Sequence, residues 1–510
     1  MKCAKTRIVI FLILIFITST VFSQIHNQSA LQSISGIEAL YHVKFLSSDE
    51  FRGRATFTQE QLIAARYIAN EFEKYGLKPI SKTNKYYQSI KMDFAEVGIP
   101  GRLEIDGKIY EEGKDFQVAP VGSNKLETGV VFAGYGIITD DYNSYENIDV
   151  KNKIVMIFEG KIHKKGPQWG VASLHEIRVM QAIKNGAAGM IFVKGTSPRD
   201  HKFPIPSKLS FLRIKQIADY AKKLKLFCWN DVLQEKWYSF PMVYISLDIA
   251  NEILKKEGKT IIELKRKIDS NKKPCSFALK QIVKLETNVI QKKYQAMNVI
   301  GLFEGADDIL KDETIIIGAH YDHIGVSRDL KKIFNGADDN ASGTAALLEI
   351  AQAFTKCEIK PKRSILFITF TGEESGCLGS QYYVDNPVIP LSKTIAILNL
   401  DMVGRNNPNE IELHCKDENK NLLSISINMS KKIDIALNIP EKVETGGSDH
   451  SSFYKKGIPF IFYYDGGGDF AHKSTDTWEK ISPLKIEKVA RLCFLTACKI
   501  ANQSFTSMKN

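Results

Sequence analysis

Apolar residues between Gln59 and Tyr75 recur at Leu62, Ile63, Ala65, Ile68, Ala69, Phe72 and Tyr75. That spacing predicts an amphipathic helix. Gly76, with Pro79 soon after, predicts where it stops. The texture then changes. Short β-rich runs at 129–133 and 153–158, a helical segment at 176–185 and an apolar run ending at Val193 predict small strands and turns with one or two helices. From residue 286 onward it changes again. Strand-like runs at 298–303, 314–319, 364–371, 394–400 and 459–464 alternate with helical patterns at 343–354, 421–437 and 486–501. Such alternation predicts an α/β domain with a mixed, largely parallel sheet flanked by helices.

These shifts divide the chain into an N-terminal part of the main domain (24–95), a β-rich insert (96–285) and the remainder of the main domain (286–510). Residues 1–23 form a separate piece. Lys2, Lys5 and Arg7 precede an apolar run from Ile8 to Ile17, and small and polar residues follow up to Ser23. This is the layout of a cleavable export signal. The run is shorter than the roughly 20 residues that span a bilayer. The mature protein is therefore expected to be exported, periplasmic or extracellular, with no membrane span.

Hydrophobic residues at 44% and charged residues at 25% of 510 positions describe an ordinary globular chain and exclude a disordered or collagenous one. Eight cysteines are too few for a disulfide-built scaffold. Cleavage would leave an odd number, so at least one is unpaired within a monomer. The net charge of +11 includes the three cations of the leader. The remaining Lys and Arg are scattered, with no basic stripe interleaved with aromatics, which argues against nucleic-acid binding.

Candidate chemistry gathers where the strands end. The run 314–319 is followed by His320, Tyr321, Asp322 and His323; 364–371 by Gly372, Glu373 and Glu374; 394–400 by Asp401. A Gly-rich loop with Asp338 and Asp339 opens the helix at 343, and two later loops carry Ser448-Asp449-His450 and His472 through Thr477. In an open α/β sheet, ligands bind beyond the carboxyl ends of the strands. Several carboxylates cannot share a small site unless protons or metal ions neutralise them. Imidazole and carboxylate donors suit zinc, with manganese or cobalt as substitutes. Five donors with a carboxylate to spare fit two metals. Of the adjacent Glu373 and Glu374, one would bind metal and the other would move protons. The insert has no comparable cluster: His175-Glu176 lacks the second His of a His-Glu-x-x-His motif, because Val179 stands there.

The segments Gly318-Ala319-His320-Tyr321-Asp322-His323, Gly336-Ala337-Asp338-Asp339-Asn340-Ala341-Ser342-Gly343, Gly372-Glu373-Glu374, Asn399-Leu400-Asp401-Met402-Val403-Gly404 and His472-Lys473-Ser474-Thr475-Asp476-Thr477 occur in order. With them the chain resembles the co-catalytic di-zinc aminopeptidases of the bacterial leucyl aminopeptidase, aminopeptidase S and aminopeptidase Y type, relatives of glutamate carboxypeptidase and the transferrin receptor. Leu46 through Arg54 resembles the N-terminal signature of that family. The resemblance implies a zinc-exopeptidase fold. It assigns His320 and Asp401 to one Zn2+, Glu374 and His472 to the other, and Asp339 to both. Asp339 rather than Asp338 follows from the family's Asp-x-x-Ser-Gly register, and the peptide after that Asp is usually cis. Glu373 matches the general acid/base, and Asp322 would orient the His320 ring. Asp449 and His450 would be substrate-side or structural. The insert resembles a protease-associated domain through Val131-Phe132-Ala133-Gly134-Tyr135-Gly136, the segment 147–155 and the segment 184–189, with Trp169 and Arg178 as potential contacts.

The implied activity is hydrolysis of N-terminal peptide bonds by a metal-bridging hydroxide, with Glu373 as base and peptide or protein N-termini as substrates. A carboxypeptidase or dipeptidase of the same family, a one-zinc glutaminyl cyclase and a non-catalytic receptor-like binding protein are the competing readings. Sequons fall at Asn27, Asn340, Asn428 and Asn502, and a glycan on Asn340 would block the site.

Overall fold

The computed structural model describes residues 27–503 apart from 84, 99, 161–173, 196–207, 211–216, 218–230, 328–329, 417–419, 466 and 469. The expected leader and Trp169 lie outside the described residues. Two compact units emerge, one formed by residues up to 91 together with 295–510, the other by 92–294.

The first unit is built on a mixed sheet. Eight of its ten strands, in chain order, are β1 (Tyr87–Val97), β2 (Val289–Phe303), β3 (Thr314–His320), β4 (Ser364–Phe370), β5 (Thr394–Asp401), β6 (Glu410–His414), β7 (Ala436–Asn438) and β8 (Phe460–Tyr464); the short Lys78–Pro79 and Lys208–Ser210 pair with β2 and β1. The spatial order is β1-β2-β4-β3-β5-β8-β6-β7. The centre is parallel, β3 pairing with β4 and β5, and β5 with β8. β2 and β6 pair antiparallel with β4 and β8. Seven consecutive buried residues in both β3 and β4 explain the arrangement, because a parallel sheet covered on both faces needs near-continuous apolar strands.

Alternate side chains serve opposite faces. Ile315, Ile317 and Ala319 join one core, with Phe367, Leu398 and Leu400. Ile316 joins the other, with Ile368, Phe370 and Ile397. The first face is covered by α1 (Gly36–Leu46), α2 (Gln59–Tyr75), α3 (Gly343–Thr355) and, at the far end of the chain, α7 (Pro483–Asn502). The second is covered by α4 (Leu378–Asp385) and α6 (His450–Tyr454). Between these last two in sequence lies α5 (Lys420–Ser430). Helix ends follow local chemistry. The Thr58 hydroxyl accepts from Gln61 N to start α2, and Gly76, at φ 81°, ends it where the sequence predicts. Ser482 and Pro483 start α7 in the same way.

One helix is shorter than its periodicity predicts. The pattern over 421–437 breaks at Ser430, a turn follows, and Ala436–Asn438 pairs with β6. Sheet pairing overrides the local apolar spacing.

The second unit holds an eight-stranded sheet. From Lys108–Tyr110 it runs through Arg102–Ile105, Phe277–Thr287, Asn124–Phe132, Ile154–Phe158, Gly189–Val193 and Met242–Ile245 to Phe116–Val118. Its middle is parallel, and apolar clusters lie on both faces. Residue 285, expected to close the insert, falls inside a strand, with Leu285 paired to both Leu103 and Leu126. Arg178, considered above as a potential contact, is buried instead. Its guanidinium donates to the carbonyls of Phe158 and Gly160 and lies 5.6 Å from the Phe192 ring centroid. Among the described residues no two cysteines are joined to each other by a disulfide, and no helix is long and apolar enough to cross a membrane.

The first unit's packing has a sharp test. Phe354 on α3 is fully buried, its ring centroid 5.8 Å from Phe303 on β2, 5.9 Å from Phe367 on β4 and 4.8 Å from Phe494 on α7. Phe354→Ala is expected to cost about 3–5 kcal/mol in urea denaturation. Ile309→Ala, at an 81% exposed position, should change stability by less than about 0.5 kcal/mol.

Candidate metal centre

The ends of the central strands converge as the sequence predicts. His320 is the last residue of β3 and Asp401 the last of β5, and Glu373 and Glu374 follow β4 by one tight turn. The turn is closed by Leu378 N donating to Gly372 O and Gly379 N to Thr371 O. Asp339 lies in the loop before α3, and the peptide between Asp339 and Asn340 is cis.

That loop is tied to the segment after β5, which accounts for the Asp-x-x-Ser-Gly register. Asn340 Oδ1 accepts from Gly343 N and Met402 N, and its Nδ2 donates to Leu400 O. Ser342 Oγ accepts from Val403 N and donates to Asp338 O. A Cβ on Gly343 would lie 2.4 Å from Asn340 Oδ1 and 2.5 Å from Leu400 O, so only glycine fits. Asp338 turns away from the cluster to accept from Gly404 N. Asp476 accepts from the backbone N–H groups of both Asp338 and Asp339. Asn340 is fully buried with its amide engaged, so its sequon is closed to a glycan.

Asp339 presents its two oxygens to different neighbours. Oδ1 lies 3.5 Å from His320 Nε2, which is 3.3 Å from Asp401 Oδ1. Oδ2 lies 3.3 Å from His472 Nε2, which is 2.9 Å from Glu374 Oε2. Four donors at about 2.0–2.1 Å around a tetrahedral zinc stand about 3.3–3.4 Å apart. Two of these four separations match that edge, and the 3.5 Å one is about 0.1–0.2 Å longer. All five donors are borderline or hard nitrogen and oxygen atoms, the types zinc takes. The residues present therefore fit a divalent metal.

The residues around the donors are also held. His320 Nδ1 lies 3.1 Å from the Asp322 carbonyl and 3.8 Å from its carboxylate. The ring is thus oriented by the backbone of Asp322 more closely than by its side chain. The Asp322 carboxylate is itself fixed, accepting from Thr56 Oγ1 at 2.7 Å and from Glu373 N at 3.1 Å. Arg54 is fully buried, and its guanidinium donates to the carbonyls of Leu46, Tyr321, Asn335 and Gly336. Arg54 and Thr56 have no role in the sequence reading beyond Arg54's place in the N-terminal signature. His323 was likewise given no role, although it stands three positions after His320 in the same motif.

The electrostatics separate the two adjacent glutamates. Burial, reinforced by Glu374, Asp401 and Asp449, raises the Glu373 carboxyl well above its ordinary range. Burial opposes ionisation of Glu374 too, but hydrogen bonds from His323 and His472 overcome it and hold that carboxyl well below the range. Burial also disfavours charge on His472, yet Asp339 and Glu374 raise its pKa to about 11. Asp449 is buried, which pushes its carboxyl up to about 7. His450 takes the structural alternative. Its ring stacks on Phe462 at 4.3 Å, Nε2 lies 3.2 Å from Glu444 O, and burial lowers its pKa to about 4.

The mixed sheet thus ends in a buried His–carboxylate set that could hold a metal ion. Residues 298–497 match the model of Peptidase family M28. The fold is similar to that of an aminopeptidase from Aneurinibacillus sp. strain AM-1, with a TM-score of 0.63 at 20% identity over 95% of this chain and 98% of that one. It is also similar to a zinc aminopeptidase from Bacillus subtilis, with a TM-score of 0.57 at 20% identity over 92% and 96% of the two chains. Among curated proteins, leupeptin-inactivating enzyme 1 of Streptomyces exfoliatus is 31% identical over 166 residues, 32% of this chain and 34% of that protein. Aminopeptidase YwaD of Bacillus subtilis (strain 168) is 28% identical over 206 residues, 39% and 43% of the two. The match spans less than half the length of either curated relative.

The titration of the cluster makes a prediction. In the metal-free protein at neutral pH, His472, with a pKa of about 11, holds a proton, as does His320, raised well above its ordinary value by Asp401 and Glu373 against the opposing effect of burial. A protonated imidazole has no lone pair to give a metal, so zinc uptake must release protons. Calorimetry in buffers of different ionisation enthalpy should detect this release. Affinity should rise with pH towards 11; an affinity flat from neutral to alkaline pH would contradict the assignment.

Proposed function

We propose that this protein is an exported di-zinc aminopeptidase, which removes single residues from the free N-termini of peptides. The observation that carries the reading is Asp339, one carboxylate shared between two nitrogen–carboxylate groups through separate oxygens. His320, Asp339 and Asp401 would hold one ion, and Asp339, Glu374 and His472 the other, with manganese or cobalt as substitutes for zinc. When bound, the ions supply Lewis acidity that polarises a peptide carbonyl and acidifies a water.

The protein's own proton carrier in this reading is Glu373. It touches no donor nitrogen, its backbone N–H is anchored on Asp322, and its carboxylate accepts from Cys377 Sγ at 3.6 Å. A carboxyl raised by burial takes a proton from the attacking water readily and returns it to the departing amine. Most of the similar proteins are aminopeptidases, which supports the N-terminal direction of attack. The β-rich second unit is read as a protease-associated domain, supported by its motifs around Gly134, Asn147 and Gly186.

The direct test is a mixed peptide pool, with and without N-terminal acetylation, read by mass spectrometry. Loss of single N-terminal residues from the free peptides only, abolished by a chelator and restored by zinc, is expected. Cleavage of both pools would replace this reading with a carboxypeptidase or endopeptidase. N-terminal cyclisation of glutaminyl peptides without cleavage would replace it with a cyclase. Glu373→Ala should keep its zinc and lose about 10²–10⁴ in kcat. Export is checked by N-terminal sequencing of protein recovered outside the cytoplasm, expected to begin at Gln24.

A further inference from the structure

His323 stands inside the cluster without a role among the five donors. Its side chain is fully buried, and Nδ1 lies 2.8 Å from Glu374 Oε1. The same nitrogen is 3.8 Å from Asp339 Oδ2, a hydrogen-bonding distance only to Glu374. The other ring nitrogen, Nε2, is buried with no hydrogen-bond partner. The backbone is built to hold this ring. His323 N donates to Arg54 O, and Ala55 bridges to His323 as a short parallel pair. Gly336, at φ 60°, lies under the imidazole, and a Cβ there would come within 2.5 Å of His323 Cγ. The two imidazoles on Glu374 meet edge to face, with ring centroids 5.6 Å apart.

Glu374 therefore has one nitrogen on each oxygen: His323 Nδ1 on Oε1 and His472 Nε2 on Oε2. An ionised carboxylate only accepts, so Nδ1 is the donor in the 2.8 Å contact with Glu374 Oε1.

We propose that His323 is a positioning residue for the second metal centre, which donates Nδ1–H to Glu374 Oε1 and so commits Oε2 to the ion. Resting on the two-metal reading above, it adds a residue that acts on the metal through Glu374. Outer partners of this kind are worth about 10–100-fold in metal affinity.

The experiment titrates zinc and then cobalt into metal-free protein, with calorimetry for affinity and stoichiometry and the cobalt absorption spectrum for coordination. The wild type should bind two ions. His323→Leu removes the donor and should weaken one of the two by about 10–100-fold, leaving the other unchanged. His323→Asn places an amide N–H where Nδ1–H stands but offers no imidazole lone pair. It should restore the affinity to within about threefold, with an unaltered cobalt spectrum. Should His323→Leu not fold, His323→Gln carries its amide one bond further and takes its place, with the same loss expected. If Asn is as weak as Leu or Gln, with an altered spectrum, His323 is itself a ligand and the proposal is overturned. If Leu and Gln bind both ions as the wild type does, His323 has no part in the centre. A wild-type protein that binds a single ion overturns the two-metal reading, and this inference falls with it.

Discussion

Burying several carboxylates in one place is the constraint around which this protein is organised. Asp322, Asp338, Asp339, Glu373, Glu374, Asp401, Asp449 and Asp476 lie within a region formed by the ends of three parallel strands and the loops beside them, all but the two glutamates at or below 6% exposure. Each unpaired buried ion costs several kcal/mol, roughly, even after relaxation. The fold answers with different partners at different positions. Asp338, Asp476 and Asp322 are given backbone N–H donors. Asp339, Glu374 and Asp401 are given imidazoles. The groups that receive imidazoles are the ones free to take a metal ion, because backbone donors satisfy a carboxylate without leaving room for one.

Arg54 shows how the same constraint shapes a remote part of the chain. Its guanidinium makes four hydrogen bonds, all to carbonyl oxygens, on the segments around Leu46, Tyr321 and Asn335–Gly336. Burial lowers its pKa to about 10 against the opposing pull of Asp322, Asp339, Asp476 and Glu374. The cation therefore lends its charge to the cluster without occupying any carboxylate oxygen. A lysine could match the charge but not the planar fork that reaches several carbonyls at once. The segment before α2 is in this way tied to the candidate metal site, although more than 260 positions separate Arg54 from Tyr321.

What the sequence made legible follows from this division. Donors at strand ends were readable because apolar runs mark the strands and the polar residue that ends each run is conspicuous. The resemblance's Asp-x-x-Ser-Gly register singles out Asp339, which faces two imidazoles while Asp338 turns to Gly404 N, and the hydrogen bonds of Asn340 and Ser342 give that register its physical cause. Arg54, Thr56 and His323 were not readable in their roles. Their partners are backbone carbonyls or side chains far away in sequence, and neither leaves a local pattern. The 421–437 segment failed differently. Its apolar spacing is helical throughout, but periodicity carries no information about the open edge of β6 that Ala436–Asn438 completes.

Glu373 and Glu374 show how neighbouring identical residues acquire separate work. The turn after β4 is pinned at Glu373, whose N–H goes to Asp322 and whose carbonyl accepts from both Gly376 N and Cys377 N. With the backbone fixed, the two side chains leave it towards different surroundings. Glu374 reaches two imidazoles and is kept ionised. Glu373 reaches a thiol and the neighbourhood of other carboxylates, where burial favours its neutral form. An ionised carboxylate is what a cation needs, and a carboxyl that takes up a proton readily is what acid–base chemistry needs. The opposite tendencies of the two carboxyls therefore arise from the geometry of this one turn and not from their composition.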